Sequence, residues 1–116
     1  MKIKESVQDN VAILSISGNM MGGPETTKLH EVVKSLIADG MKRVIVDLKK
    51  VRWMNSMGLG ILMACWGSLS KVGGDIKLAN ATEKVQSLLV ITQLLQFFEN
   101  YESVDRALAL FLSQQK

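Results

Sequence analysis

Metal and disulfide chemistry have almost nothing to work with in this sequence. Of 116 residues, one is cysteine (Cys65) and one is histidine (His30). A single cysteine excludes an intramolecular disulfide framework, and the two together exclude a metal site built from several thiolate or imidazole ligands. Aromatic residues make up only 5%, leaving few side chains on which exposed bases could stack. Proline occurs once, at Pro24, so no proline-rich linker divides the chain. No long run of basic residues occurs either; the densest cluster is Lys49, Lys50 and Arg52. The net charge of +3 therefore reads as a mildly basic surface, and direct nucleic-acid binding is not expected.

What is present fits one folded domain over residues 1–116. Hydrophobic residues are 47% and charged residues 22%, near the globular average. The start, Met1-Lys2-Ile3-Lys4-Glu5-Ser6, has no apolar stretch behind its charges, so the expected location is the cytoplasm. Trp53 to Ser70 runs eighteen residues without a charge, but it carries Asn55, Ser56, Ser68 and three glycines. A buried helix entered through a polar turn explains that stretch better than membrane insertion.

Periodicity gives an α/β order. Val11–Ser17 reads as a strand, preceded by a short edge strand around Ile3 with Asp9-Asn10 as the turn. After Gly22-Gly23-Pro24, the residues Leu29, Val32, Val33, Leu36 and Ile37 form one helical face, and Gly40 stops it. Val44–Leu48 is the apolar run of a central strand, followed by a loop to Asn55. A helix from about Ser56 to Lys71 follows, then a strand at Ile76–Ala79 and a helix from about Thr82 to Leu94. Phe97–Tyr101 predicts a short last strand, and Ser103 caps a terminal helix carrying Val104, Ala107, Leu108 and Phe111. The result is a mixed sheet of four to five strands with four helices, in the order β-β-α-β-α-β-α-β-α.

Candidate chemistry narrows quickly. His30 lies off the apolar stripe and should face water, and no acid–base partner is spaced to serve it. Cys65, between Ala64 and Trp66, reads as a small buried residue rather than a thiolate. Gly58-Leu59-Gly60 opens a helix after a strand, yet Met63 stands where a dinucleotide fingerprint needs its third glycine. No phosphate loop occurs, and no cofactor is expected. Ser56 is the expected helix N-cap, bonding the amide of Gly58 or Leu59. Trp53, Met54 and Met57 crowd the same loop-to-helix junction, where polar side chains usually meet water. Exposed, they form an interaction surface; buried, they seal the core. Met20, Met21 and Gly22 form a second candidate partner-facing loop.

At Val44-Ile45-Val46-Asp47-Leu48 and Val51-Arg52-Trp53-Met54-Asn55-Ser56-Met57-Gly58-Leu59-Gly60 the chain resembles STAS domains, specifically bacterial anti-sigma factor antagonists. The likeness runs on through Gly74–Leu78 and then Val85, Leu89, Thr92, Leu95 and Phe98. The resemblance implies a non-enzymatic switch in which Ser56 is the phosphoacceptor. Its unphosphorylated form would bind an anti-sigma factor serine kinase and free a sigma factor, and a PPM-type serine phosphatase would reset it. The partner surface would be Trp53, Met54, Asn55, Met57, Gly58, Leu59, Met20, Met21 and Gly22. Asn55 stands where the family generally has Asp, and Met57 where it usually has a small residue. Two other readings compete: an adaptor subunit of a membrane lipid-transport complex, and a small hydrolase or nucleotide-binding enzyme. The first strand and the terminal helix are each free to pair with another copy, so a homodimer is compatible with the sequence.

Overall fold

The computed structural model describes residues 1–113. Five strands form one sheet: β1 (Lys2–Gln8), β2 (Val11–Ser17), β3 (Arg43–Lys50), β4 (Asp75–Ala79) and β5 (Asn100–Tyr101). Four helices connect and cover them: α1 (Pro24–Ala38), α2 (Ser56–Lys71), α3 (Glu83–Ile91) and α4 (Val104–Ser113). The spatial order is β1-β2-β3-β4-β5, with β1 antiparallel to β2 and every later pair parallel. The succession of elements along the chain is the expected β-β-α-β-α-β-α-β-α.

Alternation along the strands decides which helix goes where. Ala12, Leu14 and Ile16 of β2, Val44, Val46 and Leu48 of β3, and Ile76 and Leu78 of β4 share one face. That face packs against Leu29, Val33 and Leu36 of α1, Leu59, Leu62, Cys65 and Leu69 of α2, and Val85 and Leu89 of α3. The intervening residues Val11, Ile13, Ile45 and Ala79 point the other way, onto Ala107, Leu108 and Phe111 of α4. With only one helix there, cover is partial. Past Ile13 and Ile45 the same face continues as Ser15 and Asp47, and the pattern turns polar toward the carboxyl ends of these strands. Lys77, also on that side, is buried with Nζ 4.8 Å from the Phe111 ring centroid and 3.6 Å from Asp75.

Several boundaries differ from the sequence reading, each for a physical reason. The edge strand β1 is a full seven residues, because Asp9 and Asn10 both take left-handed φ (53° and 64°) and make a tight turn that keeps the whole hairpin in register. β3 runs on to Lys50, paired with Ser17 through a register shift. α3 stops at Ile91 rather than Leu94: the Thr92 hydroxyl donates back to the Leu88 carbonyl and Gln93 adopts φ 62°. β5 is two residues, not five. Phe98 is fully buried in the core and Phe97 meets Trp66 edge-on at 4.9 Å, so tertiary packing takes both aromatics out of the sheet. Among the described residues no helix is long and apolar enough to cross a membrane.

Candidate functional site at the start of α2

At the carboxyl ends of β2 and β3 the chain makes two adjacent loops. The first joins β2 to α1 (residues 18–23), and the second joins β3 to α2 (residues 51–55). Backbone bonds lace them together. Met20 N–H donates to the Trp53 carbonyl at 2.9 Å, and Asn55 N–H donates to the Met20 carbonyl at 3.2 Å. Met20 and Met54 thereby form a short parallel bridge. α2 presses on this bridge at Gly58, where any side chain would collide with the Met20 carbonyl oxygen. That close approach, rather than a nucleotide, accounts for the glycine. Gly22, at φ 92°, is overlaid by Met57, whose Cβ lies 2.8 Å from where a Gly22 Cβ would sit.

The cap of α2 falls one residue earlier than the sequence suggested. Asn55 is the N-cap, its Oδ1 accepting from the amides of Met57 (3.1 Å) and Gly58 (3.0 Å). Ser56 is therefore the first helical residue and not the cap. Its side chain is exposed, and its hydroxyl makes no hydrogen bond among the described residues. Around it stand three of the seven large apolar residues exposed on the described surface: Met21 (50%), Trp53 (50%) and Met57 (61%). Lys84, from the first turn of α3, lies over the Trp53 ring with Nζ 3.3 Å from its centroid. No acidic residue occupies the first turn of α2.

Not every residue assigned to the partner surface lies on it. Met20 is fully buried, Leu59 is 2% exposed and Gly58 is buried, because the bridge and the helix start close over them. These three form the base of the site and cannot touch a docked protein. Met54 is half-buried and packs on the core, and Gly22 is half-buried beneath Met57. His30 also departs from its reading. It is half-buried between α1 and α2, with Nε2 2.8 Å from the Ser68 hydroxyl oxygen. Burial, and then the charge of Lys34, hold its pKa below the usual value. Burial pushes the Cys65 thiol up to about 12, leaving no thiolate near neutral pH. Lys84 is the site residue that sequence reasoning missed; its helical position gives no hint that it reaches a tryptophan thirty-one residues away.

The STAS domain family model matches residues 2–107. The chain belongs to the STAS domain family. A Thermotoga neapolitana protein assigned as an anti-sigma factor antagonist homologue is 29% identical over 77 residues, spanning 66% of this chain and 68% of that one. A solved anti-sigma factor antagonist from Mycobacterium paratuberculosis superposes with a TM-score of 0.79 at 25% identity, covering 94% of this chain and 92% of its own. The antagonist SpoIIAA in its unphosphorylated form has the same fold, with a TM-score of 0.83 at 13% identity over 97% of each chain. The chain is thus an anti-sigma factor antagonist-like STAS domain.

Proposed function

We propose that this STAS domain is a non-enzymatic, cytoplasmic anti-sigma factor antagonist controlled at Ser56. Unphosphorylated, it binds an anti-sigma factor serine kinase and releases a sigma factor. Phosphorylation of Ser56 breaks that complex, and a PPM-type serine phosphatase restores it. The observation that carries the reading is the exposed, unbonded Ser56 hydroxyl flanked by the exposed Met21, Trp53 and Met57. Such an apolar surface around a modifiable hydroxyl suits docking that a single charge can reverse.

The energetics are sufficient. A phosphate adds about −1.5 to −2 charges at pH 7, and the start of α2 tolerates them in the free protein. In a docked complex, one such charge about 5 Å from a partner carboxylate costs roughly 3 kcal/mol at an effective dielectric near 20. That is on the order of a hundredfold in affinity, with no change of fold.

The test is a site-localised mass spectrum after incubating the purified protein with ATP and source-cell lysate, with Ser56→Ala in parallel. Phosphate on Ser56 that depends on ATP and is absent from Ser56→Ala supports the switch. A blank, in a lysate shown to phosphorylate another antagonist, overturns it in favour of the lipid-transport adaptor.

A further inference from the structure

Asn55 does more than cap α2. Its side-chain amide faces both loops of the site: Oδ1 receives the Met57 and Gly58 amides, while Nδ2 donates to the Met21 carbonyl at 3.0 Å. We propose that Asn55 is a positioning residue that joins the Met21 loop to the start of α2, so that Met21 and Met57 form one ordered apolar platform beside Ser56. This deepens the proposed function, since it presumes that the Ser56 junction is the docking surface.

The argument turns on which groups can donate. Asp, Ser and Asn cap a helix about equally well, because each offers an acceptor oxygen to the first amides. Only Asn also carries a donor at the same reach. A carboxylate at position 55 would keep both amide bonds but set an oxygen lone pair against the Met21 carbonyl. A serine would cap and fall short of it. Beyond that carbonyl the loop is held from α1, where the Gly23 carbonyl accepts from the Thr27 N–H (3.1 Å) and hydroxyl (3.0 Å), so its fastening to α2 falls to Asn55. Gly22 and Gly23 both adopt positive φ (92° and 84°), and the described tethers of Gly22 are the bonds of its N–H and carbonyl with the Thr26 hydroxyl. Met57 lies directly over Gly22, so an unfastened loop also takes away the surface on which Met57 rests. Asn55 and the bulky Met57 are the two chain neighbours of Ser56. The geometry links them: the amide fixes the loop, and the loop supports the methionine.

Isotope-labelled Asn55→Asp and Asn55→Ser, compared with the parent by NMR and thermal unfolding, test this on the free chain. The expected result is a melting midpoint within a few degrees of the parent, because the cap survives. Alongside it, the NOE between the Met57 methyl and the Gly22 Hα protons should be lost. The Gly22 and Gly23 amides should become mobile on the nanosecond scale, with Gly22 exchanging roughly two- to tenfold faster. Parental NOEs and parental order in both variants would overturn the proposal. So would a general loss of stability with the loop still ordered, since Asn55 would then be a cap and nothing more. Neither readout needs phosphate, so a blank at Ser56 and a failure here remain separate results.

Discussion

Two glycines in the first turns of α2, two residues apart, should respond in opposite directions to the same substitution. Alanine is favoured over glycine inside a helix by roughly 0.8–1 kcal/mol, so local propensity predicts a gain at both. At Gly60 nothing lies within 4 Å of the added methyl, and Gly60→Ala should stabilise by about that amount. At Gly58 the methyl would collide with the Met20 carbonyl oxygen and sit 2.9 Å from its carbon, against a comfortable carbon–carbon separation of about 3.5–4.0 Å. The bridge must retreat by more than half an ångström to admit it. Met20 is fully buried and bonded on both sides, donating to Trp53 and accepting from Asn55. Weakening two backbone bonds at about 1 kcal/mol each, with some repacking, outweighs the propensity gain. Gly58→Ala should be destabilised by about 2 kcal/mol net, lowering the melting midpoint by roughly 5–10 °C for a domain of this size. Urea unfolding of the parent and both variants measures it directly. If Gly58→Ala were as stable as Gly60→Ala, the close approach of α2 to the Met20 bridge would be refuted.

Three further outcomes follow from the same structure. Ser56→Ala should unfold within about 0.5 kcal/mol of the parent in urea, because the hydroxyl it removes is exposed and unbonded. The Cys65 thiol, raised from 9.0 to about 12 when folded, ionises first in the unfolded chain; its contribution is present below pH 9 and lost as pH rises toward 12. The stability of the parent should fall more steeply over that window than that of Cys65→Ala, by up to about 1.4 kcal/mol per pH unit in urea titrations. His30, with its folded pKa lowered, behaves in the opposite sense: the unfolded chain takes up the proton first, so stability is lost as pH falls below about 6.5. His30→Gln should flatten the acid limb of a stability–pH curve, and an unchanged limb would show that the imidazole is not held neutral between α1 and α2.

The succession of strands and helices along the chain was legible because it rests on local signals: β-branched runs, a 3.6-residue stripe in α1, and glycines at turns. The site was legible in composition but not in depth. Asn55 and Ser56 are both good caps and lie side by side, so propensity cannot choose between them. The structure puts the cap at Asn55, whose Nδ2 also reaches the Met21 carbonyl thirty-four residues away in the chain. Met20 and Met21 look alike in sequence, yet pairing with Met54 buries the first, while the second is half exposed. Phe97 and Phe98 resemble strand residues until a core with room for them is present. His30 reads as facing water because it lies off the apolar stripe of its own helix; its partner, Ser68, is on the next one.

The open edge of the sheet has a bearing on self-association. β1 carries its outer hydrogen-bonding groups unpaired, as any edge strand does. If two copies met antiparallel about a two-fold axis normal to the sheet, each side chain would have to keep its face, so one residue must lie opposite its own twin. Over the full strand that residue is Glu5; one register step to either side it is Lys4 or Ser6. Like charges directly opposite one another are destabilising in the Glu5 and Lys4 registers. The adjacent charges of Lys4 and Glu5 thus penalise two of these three registers, and self-pairing of β1 is steered toward the one centred on Ser6.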